Sequence, residues 1–185
     1  MGFAFAAGLN LYAAVAILGL AARFGWVQLP PQFDLFNHDW VIGAALVMYV
    51  VEFIADKVPW VDSMWDTVHT AIRPLGGALI AMTAIGDASP AVEGLAALLG
   101  GTLAAGSHLT KASTRAVANT SPEPFSNWAL SFGEDIFVIG IGWLALQYPV
   151  AALVVVAVLT ILIVVFLSLI VRWARRRWRR GSLQT

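Results

Sequence analysis

Residues 150–171 read VAALVVVAVLTILIVVFLSLIV, a run dominated by Val, Leu, Ile and Ala with no ionisable side chain in it. A helix needs about 20 apolar residues to cross the ~30 Å hydrocarbon layer of a bilayer. This run meets that length, and its uniformly apolar surface suits a lipid-facing anchor at the edge of a bundle. Outward from it, the same theme recurs in five further stretches: Phe3 to Phe24, Trp40 to Ile54, Leu75 to Gly86, Val92 to Gly106 and Trp128 to Gln147. Of the 185 residues, 59% are hydrophobic and 12% charged, where a soluble domain carries about a quarter charged; mean hydropathy is +0.79. The fold class that follows is all-α: a polytopic transmembrane helical bundle of about six spans. It forms a single transmembrane domain over residues 1–171, followed by a basic Trp/Arg tail over 172–185. Phe3 to Phe24 is too long and unbroken for a signal segment and is read as the first span. Leu75 to Gly86 is short, about 18 Å as a helix, so it is extended by its neighbours or forms a half-helix. Prolines at Pro30, Pro31, Pro90, Pro122, Pro124 and Pro149 punctuate the spans, because the residue before proline is steered away from helix.

Eleven basic and eleven acidic residues cancel, so only their placement informs. With the N-terminus inside, the outer connectors hold Arg23 alone, while the inner side holds Lys57, Arg73, Lys111, Arg115 and the tail arginines from Arg172 to Arg180. Cytoplasmic loops retain positive charge, which places both termini in the cytoplasm. The tail attracts anionic lipid at roughly 1 kcal/mol per basic residue, and nothing else in the chain supports a nucleic-acid partner. The absence of cysteine excludes disulfides, thiolate metal sites and cysteine chemistry. No GxSxG, Walker A, HExxH or dinucleotide fingerprint occurs, so no motif-bearing enzyme class is indicated. Small residues cluster at Gly76-Gly77-Ala78, from Gly100 to Gly106 and at Gly140-Ile141-Gly142. They let helix backbones approach in lipid, and are read as packing seams that could equally serve a homo-oligomer interface.

Charge inside apolar runs is the informative feature, since it costs roughly 2.5–3.5 kcal/mol per residue at mid-bilayer. Glu52 closes the second stretch one turn before Asp56 and Lys57; Glu134 and Asp135 lie within the fifth, and Asn10 within the first. Pointing inward, these groups make a polar core. Between the second and third stretches, PWVDSMWDTVHTAIRP from Pro59 to Pro74 sets Asp62, Asp66, His69 and Arg73 at helical spacing on one stripe. This is a short amphipathic helix, interfacial or re-entrant, bordered by prolines. A second stripe follows at His108, Lys111, Arg115 and Asn119. The two are complementary in charge, and Asp62 and Asp66 are expected to meet Lys111 and Arg115. Asp62, Asp66 and His69 also suit a divalent metal of the kind a lipid phosphotransferase needs; the plainer reading is a salt-bridged face compensated by Arg73. His108, Lys111 and Arg115 either capture an anionic head group or phosphate, or simply set topology. Gly8-Leu9-Asn10-Leu11-Tyr12 and Gly133-Glu134-Asp135-Ile136-Phe137 match weakly, a hint of the internal repeats found in transporters.

Two segments, EFIADKVPWVDSMWDTVHTAIRPLGG from Glu52 to Gly77 and SHLTKASTRAVANTSPEPFSN from Ser107 to Asn127, stand beside GLNLY from Gly8 to Tyr12. Together they resemble a family of small bacterial multi-pass membrane proteins known only as a domain of unknown function. The resemblance covers most of the chain and implies a bacterial inner-membrane protein; it supplies no activity. The leading expectation is a small transporter or channel-like protein for an ion or small anionic ligand. Asn10, Glu52, Asp56, Glu134 and Asp135 would form its interior, and Lys57, His108, Lys111 and Arg115 would gate or recruit. The alternatives are a membrane-embedded enzyme or binding protein for lipid head groups, with a metal on Asp62, Asp66 and His69, and a scaffold assembled through glycine-rich faces. No cofactor is indicated beyond that metal.

Overall fold

The computed structural model describes the backbone of residues 1–120 and 125–181, with side chains through Leu169 and at Arg172. The proline-containing segment 121–124, residues 182–185 of the basic tail, and the side chains of 170, 171 and 173–181 lie outside the described residues. Among the described residues every regular element is helical: α1 (Gly2–Leu9), α2 (Leu11–Phe24), a 3-10 turn (Pro31–Asn37), α3 (Asp39–Ala55), α4 (Pro59–Ile85), α5 (Pro90–Ala118), α6 (Phe125–Gln147) and α7 (Pro149–Gly181). Pro59 and Pro90 open α4 and α5, where a missing N–H and a fixed φ are harmless.

Three of these are long and apolar enough to cross a membrane: Pro59–Ile85, Phe125–Gln147 and Pro149–Leu169. A fourth is added if Pro31–Asn37 and Asp39–Ala55, bent by 60°, count as one. Length and composition therefore do not reproduce six spans, for two physical reasons. The C-terminal half of α5 buries His108, Lys111 and Arg115, and the first apolar stretch is not one helix.

That stretch breaks at Asn10, whose backbone is extended (φ −149°, ψ 98°) and whose side chain caps α2 by accepting from the Ala13 N–H at 2.9 Å. A short polar side chain that can satisfy the orphan donors of a new helix start makes such a break tolerable in an apolar run. The two pieces fold back on each other. A Cβ on Gly142 would lie 3.3 Å from both Phe3 and Ile17, so the start of α1 and the middle of α2 share one level. Met1, Phe3, Leu18 and Val27 also line one apolar cavity with Ile80 and Leu146. Hence α1 enters from the end of the bundle to which α2 returns, with Asn10 at the apex. The single unbroken helix expected from Phe3 to Phe24 is corrected to a hairpin of two shorter helices. Phe5, Leu11, Leu18, Val138, Ile141 and Val156 form the core around it.

The expected short amphipathic helix and the short third stretch are one helix. Pro74 sits inside α4 without ending it, although an interior proline ordinarily costs ~3 kcal/mol. One continuous face outweighs that cost: Asp62, Asp66, His69, Arg73, Gly77, Ile80 and Ala81 are all buried, mostly against α5. Opposite them α5 buries Gly100, Ala104, His108, Lys111 and Arg115. At Gly77 and Gly100 the helices approach so closely that a Cβ would strike Ala104 or Ala81. α7 keeps Val154, Val158, Ile161 and Val164 exposed, the surface expected of a lipid-facing helix.

Candidate functional site

Four helices and the hairpin apex converge on one polar file. From Asp62 to Arg73, α4 rises roughly 16 Å at 1.5 Å per residue, about half the hydrocarbon thickness. Arg73 is fully buried midway along α4. Its Nη2 donates to Glu52 Oε1 at 2.8 Å; its Nη1 donates to the Gly8 carbonyl at 3.1 Å and meets His108 Nδ1 at 2.8 Å. Lys111 Nζ donates to Glu52 Oε1 at 3.2 Å, Asp56 Oδ2 at 3.1 Å and the Leu9 carbonyl at 3.2 Å. The carbonyls that the break at Asn10 deprives of helical partners are thus taken by two buried cations.

Arg115 uses all five of its N–H groups. It grips Glu134 with Nε at 3.1 Å and Nη2 at 2.7 Å. The same Nη2 reaches Asp56 Oδ2 at 2.9 Å, while Nη1 donates to the carbonyls of Asp56 at 2.8 Å and Asn127 at 3.3 Å. Glu52, Asp56 and Glu134 therefore balance Arg73, Lys111 and Arg115. Asp135 accepts from Asn10 at 3.2 Å, two residues that hold equivalent positions in the weak repeat. Lys57 donates to the Phe53 carbonyl at 2.8 Å and lies 3.0 Å above the Phe53 ring. Partial burial holds its ammonium below the usual lysine value, against the pull of Asp135 and Asp56.

The model of the family described as Domain of unknown function (DUF4126) matches residues 1–169. The chain belongs to this family. No curated protein and no solved structure matches it. Every charged residue of the polar file in this DUF4126 chain lies within the matched part, and the basic tail lies beyond it.

The expected meeting of the two stripes is realised only loosely. Asp62 stands 3.9 Å from Arg115, and Asp66 lies 3.5 Å from Arg73 on its own helix. Lys111 and Arg115 turn instead to Glu52, Asp56 and Glu134, because α3 and α6 bring those carboxylates to the same face of α5. His69 meets the Trp65 carbonyl at 2.8 Å and the Tyr12 hydroxyl at 2.9 Å, away from Asp62. Among the described residues, no three His, Asp or Glu side chains are gathered as a metal ion would need. Asn119 donates to Asp62 Oδ2 at 2.9 Å and accepts from Asn127 at 2.7 Å. Arg73, Asn119, Asn127 and Tyr12 thus belong to the site beside the residues singled out from sequence. The helical spacing of both stripes signals Arg73 and Asn119; no local pattern signals Tyr12, which arrives through the hairpin.

Proposed function

We propose that the chain is a small transporter or channel-like protein of the bacterial inner membrane that moves an ion. The observation that carries this reading is the file of buried ionisable side chains from Asp62 and Asn119 at one end of the bundle to Arg73 and the Gly8 carbonyl at its middle. Intramembrane ionisable groups are costly, and by default they mark ion pathways. Beyond Arg73 the file gives way to the close-packed seam of Gly77, Ala81, Gly100 and Ala104, so the polar groups occupy one half of the bundle and the other half is apolar. A broken helix whose freed carbonyls reach the middle of the bundle is also the device by which transporters build midplane sites. A small anion finds less support than a cation, because Lys111 and Arg115 are already occupied by carboxylates.

In this reading α3 to α7 make five crossings, with α5 held across the membrane by its pairing with α4, and α1–α2 re-enters from the outer side. The end carrying Lys57, Arg115 and Arg172 faces the cytoplasm by the positive-inside rule. The start of α1 is then on the outer side, in place of the cytoplasmic position expected from six crossings.

Reconstitution into liposomes under an imposed potential, with H⁺, Na⁺, K⁺ and Cl⁻ followed separately, tests the proposal. Protein-dependent cation flux is expected, falling to the empty-liposome level in Glu134→Gln. Flux no greater than in empty liposomes for every ion, with folded protein present, overturns it. That outcome would favour a membrane scaffold, the second reading, which the charge balance of Glu52, Asp56 and Glu134 with Arg73, Lys111 and Arg115 supports.

A further inference from the structure

A cavity of about 260 Å³ opens between α4 and α5, lined by Asp62, Asp66, Thr67, Thr70, Arg115 and Asn119 among others. Free donors are scarce on its wall. The Thr67 hydroxyl donates to the Ser63 carbonyl at 2.8 Å and the Thr70 hydroxyl to that of Asp66 at 2.9 Å, so each offers lone pairs. Thr70 Oγ1 also stands 3.1 Å from His108 Nε2. The Arg115 guanidinium is fully committed to Asp56, Asn127 and Glu134. The Asn119 amide is engaged by Asp62 Oδ2, Ser63 and the Pro59 carbonyl, and its oxygen by Asn127.

Asp62 and Asp66 are 0% and 5% exposed, and Oδ1 of each has no hydrogen-bond partner, its ion-pair contact being long, 3.9 Å to Arg115 for Asp62 and 3.5 Å to Arg73 for Asp66. A buried carboxylate oxygen without a donor is a substantial cost that a proton, an ion or water must relieve. These two carboxylates are also the surplus charge. Glu52, Asp56 and Glu134 are matched by Arg73, Lys111 and Arg115, and Asp135 feels Lys57.

We propose that this cavity binds a partly hydrated monovalent cation, which competes with protons for Asp62 and Asp66. The ion-translocation reading gives the site its use, and the inference rests on it in that respect. With the N–H groups of Arg115 and Asn119 committed elsewhere, the positions left open on the wall are acceptors, which disfavours an anion. Calcium takes six to eight oxygens, several of them carboxylate, and no third acid or imidazole joins these two among the described residues. The cavity exceeds the ~30 Å³ share of one water, so the cation keeps part of its hydration shell. The charged groups facing the pair are Arg115, Lys111 and Asp56 toward Asp62, and Arg73, Lys111 and Asp56 toward Asp66.

The test uses the full chain in detergent and choline chloride, titrated with LiCl, NaCl, KCl, MgCl₂ or CaCl₂ at pH 8 and pH 5.5, with thermal unfolding as readout. At about a hundred times its Kd, one alkali cation is expected to raise Tm by on the order of 5–10 °C at pH 8. The rise should shrink at pH 5.5, vanish in Asp62→Asn and Asp66→Asn, and persist in Asp87→Asn, whose side chain lies outside the cavity lining. Should an Asn variant not fold, Thr70→Val, which removes one lining oxygen, must weaken the alkali effect. A response to divalent cations alone, an equal response in wild type and both Asn variants, or no alkali response at pH 8 overturns the site. Flux in liposomes without this stabilisation removes the site and leaves translocation standing; stabilisation without flux does the reverse.

Discussion

Replacing Arg115 by methionine is expected to be among the most destabilising single changes in the protein. The side chain is 1% exposed and its five N–H groups tie together α3, α5 and α6 through Asp56, Asn127 and Glu134. Methionine fills much of the same space, so the loss is electrostatic: buried Asp56 and half-buried Glu134 would keep Lys111 as their remaining ion-pair partner among the described residues. Removing one partner of a buried ion pair costs about 3–5 kcal/mol, a large share of the 5–15 kcal/mol by which a whole domain is stable. For a chain of this size that is a fall in Tm of roughly 6–20 °C. Tryptophan fluorescence during thermal unfolding reads it directly, as the chain carries eight tryptophans. Adding Glu134→Gln should recover part of the loss, since a carboxylate without its counter-charge then disappears. The exposed pair Arg23–Asp39 supplies the contrast, with Arg23→Met costing less than about 1 kcal/mol. An Arg115→Met protein as stable as wild type would show that the ion network is not what holds α3 and α6 to α5.

Local regularity is legible in the sequence: the stretches from Trp40 to Ile54 and Trp128 to Gln147 match α3 and α6 to within a few residues, and the spacing of Asp62, Asp66, His69 and Arg73 does mark one buried face of α4. Spacing names a face but not its neighbour. Nothing in the acidic stripe says that Arg115 will take Glu134 and Asp56 and leave Asp62 at 3.9 Å, because that choice depends on α3 and α6 arriving at the same level. Pro74 is read as a boundary because its local effect is helix-breaking, whereas the face shared with α5 decides the outcome. Asn10 is legible only as an anomaly. A polar residue in an apolar run either faces a polar core or caps a break; here it does both, bonding Asp135 and the Ala13 N–H, and only the fold-back of α1 on α2 reveals the second role.

Gly8 therefore carries the other large effect, and Gly8→Val is expected to destabilise nearly as much as the loss of Arg115. A Cβ at this position would collide with the Ser107 hydroxyl and the Ala104 carbonyl, the first of which is fixed by its own bond to the Phe5 carbonyl at 2.8 Å. Since one of the obstacles is backbone, the clash can be relieved only by moving α1 away from α5. That movement withdraws the Gly8 and Leu9 carbonyls from Arg73 and Lys111, so a steric change of one side chain becomes an electrostatic loss in the ion network. Overpacking alone costs about 1–3 kcal/mol, and an unsatisfied buried charged donor adds more. Gly8→Ala should already lower Tm by several degrees, and Ser107→Gly should rescue it only in part because the Ala104 carbonyl remains. At Gly106 nothing lies within 4 Å of the place a methyl group would take, so Gly106→Ala should be neutral or gain up to about 1 kcal/mol from helix propensity. Equal Tm values for Gly8→Ala and Gly106→Ala would mean that α1 slides freely on α5. The apex of the hairpin would then not be what anchors the innermost charges.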